Sequence, residues 1–400
     1  AFVGALGVAG YAIGAGMPFL VYALLGPRLR RLAPKGHGLT TFLRARYGRG
    51  FHAYAVGLSV LYMLTFVTAE LTAAGSVTAL LSDIPAWVAV TLVAATTLLY
   101  TAGGGLRASL RTDRWQAVAL VVLLAGAAIT GALALPPSED GGGASLALDT
   151  GWRAALTLVI AVTAANLFHQ GYWQRVWSAA SDRALVRGGL WGAGVSVVII
   201  AVTGGLGIAA GNAGLPLGEP PAPLFALFGA GPAILGAVAL VLAITLVASS
   251  VDTLENGLAA LVGSERPGLS LGAARVLTVA LMVPAIAVAL QGYTVLRILL
   301  VADLLCATAV VPALAGLGSR LTGTWALAAA LAGVAGAVAG ALAQSGAVLA
   351  VTFPGGTPTL GPFLGALLAS AAVAILGAAV SGRRVDPAAA GARVTPLESG

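Results

Sequence analysis

The chain is a succession of long apolar runs, separated by short connections that carry nearly all of its charge. About 20 apolar residues in an α-helix match the hydrocarbon thickness of a bilayer. Eleven such runs are read, at roughly 1–26, 51–82, 85–102, 113–135, 153–170, 188–210, 231–262, 271–291, 294–316, 324–345 and 360–381. In lipid every backbone polar group must be satisfied inside the protein, so continuous runs of this length are helices. A membrane β-barrel would need short alternating segments instead. Charged residues make up only 9% of the 400 and mean hydropathy is +0.97, against about 25% charged in an ordinary soluble domain. There is too little polar surface for a water-facing particle. The 55 Gly fit a closely packed bundle, because small residues let helix backbones approach in lipid. The expected fold class is an all-α polytopic membrane protein of about 11 transmembrane helices. Residues 1–381 would form a single transmembrane domain and 382–400 a disordered cytoplasmic tail.

The net charge of +7 raises nucleic acid as a partner, and the placement of the charge removes it. With eleven spans the connections alternate in side, and of 21 Lys and Arg all but Arg153 and Arg297 fall on one side. That side holds the basic loop from Pro27 to Gly50, a turn with Arg107, Arg111 and Arg114, and then Arg175, Arg183 and Arg187. It also holds Arg266, Arg275, Arg320 and the tail. The other side is acidic, with Asp83, Glu139, Asp140, Asp149 and Glu219. Positive residues stay inside, so residue 1 is placed outside and the C-terminus in the cytoplasm of a multi-pass plasma-membrane protein. The outer loops 136–150 and 211–223 read as irregular from their Gly and Pro. A short interfacial helix is expected at 222–229, and the stretch 39–48 reads as a helix along the inner membrane surface. The chain opens directly in a membrane run without Met, which is read as an N-terminal truncation.

Intramembrane polar groups are expensive, so they mark candidate sites. Glu70 lies well inside the second run, and Asp303 lies about 14 Å into the ninth, taking 1.5 Å per residue. At helical spacing Ser249, Asp252 and Asn256 share one face, with Ser250 and Thr253 beside them. Such hydroxyl, carboxylate and carbonyl oxygens suit a small, hard cation. The other reading is that the hydroxyls bond back to the preceding turn and Asp252 marks the cytoplasmic rim. Asn166, His169 and Gln170 precede Gly171 at the end of the fifth run. Either the helix is discontinuous there and presents free backbone groups to a solute, or the helix ends there, capped by Gly.

Motifs of soluble enzymes are poor. Gly268-Leu-Ser270-Leu-Gly272 matches Gly-x-Ser-x-Gly in form, but it lies in a cytoplasmic turn where Ser270 is most simply a helix N-cap. Cys306, the one Cys, sits in an apolar run, so no disulfide framework or thiol metal site is expected. No enzymatic activity and no organic cofactor are expected.

Three stretches resemble a known family. TAGGGLRASLRTDRWQ (101–116), NLFHQGYWQRVWSAASD (166–182) and SSVDTLEN (249–256) are similar to the Gly-Gly-Leu…Thr-Asp-x-x-Gln, Asn-Leu…Gln-Arg…Ala-Ala and Ser-Ser-x-x-Ser/Thr-x-x-Asn motifs of the sodium:solute symporter family. QGYWQR and VADLLCATAVVPALAGL (301–317) are similar to the urea and polyamine branch. The resemblance implies a LeuT-like core of five-plus-five inverted repeats working by alternating access. By that resemblance Ser249, Ser250 and the carbonyl of Leu246 would hold sodium, and Asp113 would lie near its path. Asp252 could add a ligand or a protonatable group. Glu70, Asn166, His169 and Gln170 would line the solute cavity, with Asp303 supplying a gate or solute contact. The family's sodium site also draws on a broken first core helix. No segment here matches it, so the core is expected to lack that helix.

The function expected is therefore secondary active transport: sodium-coupled symport of a small polar solute, with urea a first guess, by one transporter domain over 1–381. Sodium, the solute and the lipid bilayer are the expected partners. The alternatives are a proton-coupled symporter titrating Glu70, Asp303 or Asp113, a passive facilitator of a neutral solute, and a sensory or scaffold bundle.

Overall fold

The computed structural model describes residues 3–34, 36, 38–135, 148–265, 268, 270–318, 320–352 and 356–381. Within these, the side chains of 100–114, 148–150, 271, 274, 275 and 278 lie outside the described set. Thirteen helices are seen among the described residues: α1 (Gly4–Leu32), α2 (Leu39–Tyr47), α3 (Arg49–Leu81), α4 (Ala86–Ala134), α5 (Leu148–Asn166), α6 (Gln170–Ser178), α7 (Asp182–Asn212), α8 (Pro223–Gly229), α9 (Ala233–Glu265), α10 (Leu271–Ala289), α11 (Val295–Ala315), α12 (Gly323–Ser345) and α13 (Leu360–Val380). The one β-feature among them is a bridge between Thr352 and Pro358. Most of the loop expected at 136–150 and all of the tail 382–400 lie outside the described residues.

Eight described helices are long and apolar enough to cross a membrane, and the bent pair α5–α6 makes a ninth. Two shorter apolar stretches, Ala86–Leu99 and Val279–Ala289, fall where the third and eighth of the eleven expected spans were placed. The largest departure is α4. A turn was expected at Arg107, Arg111 and Arg114, whereas the helix runs 49 residues straight through that stretch. Continuity keeps every backbone group of 101–114 paired, and Gly costs a helix only about 1 kcal/mol per residue.

The chain divides into two compact units, each described by itself. The first comprises residues 1–12, 63–155 and 198–299. Its core gathers around α8, where Pro223 opens the helix and Leu224, Ala226, Leu227 and Phe228 are buried with Leu123, Ala127, Ala210 and Ala239. The helix expected at 222–229 thus forms, but it is packed into the core of its unit. Four of its seven residues are buried.

The second unit comprises residues 13–62, 156–197 and 300–400. Two of its prolines break the helical hydrogen-bond ladder, and each freed carbonyl finds a hydroxyl. Pro18 of α1 cannot donate to Gly14, whose oxygen accepts from Thr163 at 3.3 Å. Pro312 of α11 cannot donate to Thr308, whose oxygen accepts from Ser370 of α13 at 2.8 Å. Neighbouring hydroxyls are one of the ways a membrane helix tolerates Pro. Helices α12 and α13 meet through glycines: a Cβ on Gly336 would stand 2.2 Å from the Gly365 oxygen, and one on Gly340 2.2 Å from the Gly361 oxygen. The helix expected at 39–48 is α2. Its Arg46 is turned inward and donates to the Gly316 carbonyl at 3.0 Å, while the Tyr47 hydroxyl donates to the Pro312 carbonyl at 2.7 Å. Burial pushes the Tyr47 phenol above its ordinary pKa, so it remains a neutral donor at physiological pH.

Candidate ion and solute sites

In the first unit, α9 is an unbroken helix through Leu246, Ser249, Ser250 and Asp252, and its apolar length buries one face against α4 and α8. Its two adjacent serines point to different neighbours. The Ser250 hydroxyl donates to Glu70 Oε1 of α3 at 2.7 Å. The Ser249 oxygen accepts from the Gln116 amide of α4. One turn further on, Asp252 is buried and accepts from Asn256 Nδ2 at 2.9 Å. Ser249 and Asp252 line a cavity of about 470 Å³ between α9 and α4, with Thr96, Thr97, Gln116 and Thr245 on its wall and Trp115 alongside. Leu246 is partly buried against the α8 core. Asp113 lies in α4 at a position whose side chain is outside the described set.

Glu70 was expected with the solute residues. In the structure it is joined to Ser250, one of the expected sodium ligands, in the first unit, whereas Asn166, His169, Gln170 and Asp303 lie in the second.

The fifth run is broken where the polar residues stand: Gly151–Asn166 and Gln170–Ser178 are bent by 60°. Asn166 ends α5 and bonds back to Val162 at 2.8 Å, while its carbonyl accepts from the Tyr22 hydroxyl. His169 caps α6, its Nδ1 accepting from the Tyr172 amide at 3.4 Å. Gln170 starts α6, fully buried against Gly38, where any Cβ would meet its amide. Gly38 has extended backbone, so what that position needs is space. The His169 ring stacks on Tyr172 at 4.2 Å and meets Tyr62 edge-on at 6.0 Å. Asp303 is buried in α11 within electrostatic reach of Tyr62.

Four polar partners escaped the sequence reading. Gln116 ends the first motif stretch, yet nothing local tells that it meets Ser249. Glu255 lies inside SSVDTLEN, fully buried, and accepts from Thr97 at 3.0 Å. The fourth, Tyr62, carries no signal in its apolar run. Ser270, in contrast, is the N-cap expected of it, accepting from the Ala273 amide at 3.2 Å.

The described residues form a multi-pass helical bundle with one broken span and carboxylates within its helices, and solved structures share this fold. A Na+-coupled sialic acid symporter, solved in a substrate-bound outward-open state, matches with a TM-score of 0.60 over 94% of this chain and 88% of its own, at 15% identity. A mutant of the manganese transporter of Eremococcus coleocola matches with a TM-score of 0.50 over 98% and 94%, at 18% identity. At such identities what is shared is the fold, here the LeuT-like one. The model of the sodium:solute symporter family matches residues 1–170, a stretch that holds the first of the three motifs. The spermidine transporter DUR31 of Candida albicans is 29% identical over 326 residues, which are 79% of this chain and 62% of that relative's length.

Proposed function

We propose that this protein is a secondary active transporter coupling inward sodium movement to uptake of a small polar solute by alternating access, and that the solute is an organic amine. One observation carries the ion reading: Ser249 and Ser250 are each held by a polar side chain of another helix, and Ser249 lines a cavity together with Asp252. A hydroxyl has one proton and two lone pairs. Ser250 gives its proton to Glu70, which leaves its lone pairs for a cation, and Ser249 keeps a lone pair after accepting from Gln116. Asp252, the Leu246 carbonyl and Asp113 complete the proposed sodium set, with Glu70 orienting Ser250. Asn166, His169, Gln170 and Asp303 are the proposed solute residues, in a single transport domain over 1–381.

Sodium must bind one conformation better than the other, since equal affinity shifts no population. The sodium:solute symporter signature and the fold of a Na+-coupled symporter support this coupling. The name of the Candida relative supports an amine, while urea draws no support from the relatives. We place the protein in the plasma membrane with residue 1 outside, on the eleven-span reading of the sequence, in which all basic residues but Arg153 and Arg297 fall on one side.

The test is uptake of radiolabelled spermidine into proteoliposomes. Accumulation driven by an inward sodium gradient, and lost in Ser249→Ala/Ser250→Ala, is the expected result. Uptake indifferent to that gradient refutes the coupling. The proton-coupled reading rests on Glu70, a titratable carboxyl within α3 whose Oε1 accepts from the Ser250 hydroxyl. It predicts drive by acidic outside pH without sodium, abolished in Glu70→Gln.

A further inference from the structure

Asp303 is 4% exposed within α11. A carboxyl group this deep in an apolar helix is costly, and such residues mark solute or ion pathways. Its surroundings are aromatic. The Tyr54 hydroxyl meets the Thr308 hydroxyl at 2.8 Å, which fixes the register of α3 against α11. From there, eight residues along α3 cover about 12 Å and five back along α11 about 7.5 Å. Tyr62 and Asp303 thus come to neighbouring levels, and the Tyr62 phenol is within electrostatic reach of the carboxyl. From Tyr62 a line of rings continues: His169 edge-on at 6.0 Å, Tyr172 stacked on it at 4.2 Å, and Tyr22 at 6.0 Å from Tyr172.

Each candidate solute meets this cluster differently. A sodium ion needs several hard oxygens, and beside π-faces the cluster offers one carboxyl and the Tyr62 phenol. Urea is neutral, so it would meet Asp303 as the protonated acid and gain hydrogen bonds without a charge pair. An alkylammonium supplies a positive charge, three N–H donors for the carboxylate and a phenol oxygen, and a cation that aromatic faces attract.

We propose that Asp303 is the counter-ion of one protonated nitrogen of an organic amine, with the Tyr62 ring beside it. This rests on the amine reading above and adds where the charge is held. His169 acts by position: its Nδ1 is taken by the Tyr172 amide, which fixes its ring between Tyr62 and Tyr172.

The experiment measures binding of radiolabelled spermidine to the purified full-length protein in sodium. Putrescine and its neutral isostere 1,4-butanediol serve as competitors. Putrescine should compete and butanediol should not. Asp303→Asn should weaken spermidine about a hundredfold, with the sodium-dependent rise in melting temperature kept. Tyr62→Leu should weaken it about tenfold and Tyr62→Phe much less, because the phenylalanine ring keeps its face. Equal affinity in wild type and Asp303→Asn overturns the assignment of Asp303 and leaves the amine reading standing. Sodium-driven uptake of a neutral solute, with no binding of either amine to wild type, overturns the amine reading and this inference together. Should Asp303→Asn not fold, unchanged affinity in Tyr62→Leu overturns the site.

Discussion

Two sets of hydroxyl groups, one in each unit, have different kinds of partner. In the second, Thr163 and Ser370 serve the backbone, each donating to a carbonyl that a proline has freed. In the first, Ser249, Ser250 and Thr97 are tied to side chains: Gln116, Glu70 and Glu255. A hydroxyl on a frozen carbonyl has one job in every conformation, because losing it leaves a backbone group unpaired in lipid. A hydroxyl on a movable side chain can exchange or share its partner when a cation arrives. The difference separates groups that hold the fold from groups that can respond to an ion.

Four variants sharpen or break this division, all read by thermal unfolding in detergent. Gly336→Val should have the largest effect, about 3 kcal/mol or more, since its side chain would enter the Gly365 backbone. Loss of folded protein in sodium and potassium alike is expected. Thr97→Val removes a donor from the buried Glu255 carboxyl and should cost about 2 kcal/mol. Ser370→Ala leaves the Thr308 carbonyl without its hydroxyl and should cost about 1 kcal/mol, equally in both cations. A larger loss in sodium for Ser370→Ala would break the division. Thr163→Val, at the longer 3.3 Å contact, should cost about 0.5 kcal/mol and be insensitive to the cation.

Features that depend on local pattern were readable beforehand. Apolar length located the spans, the polar residues Asn166, His169 and Gln170 marked the break between α5 and α6, and helical spacing put Ser249 and Asp252 on one face. Depth along an apolar run likewise marked Asp303. What escaped depends on partners distant in sequence. Pro18 and Thr163 stand 145 positions apart, and Gln116 and Ser249 are 133 apart, so no periodicity joins them. Glu255 carried no reading of its own within SSVDTLEN, and its partner Thr97 stands 158 positions away. The continuity of α4 also escaped, because its Gly and Arg residues carry turn and loop signals that the regular helix overrides.

The central claim is that the paired serines of α9 form an ion-responsive site. It is tested most directly by unfolding the full-length protein in sodium against potassium at equal ionic strength, for wild type and Ser249→Ala/Ser250→Ala. A ligand that binds only the folded state adds about 2.7 kcal/mol at a hundred times its dissociation constant. Wild type should show a sodium-specific rise of that order and the double variant none. Equal stability of wild type in the two cations, or a rise that survives in the double variant, would contradict it.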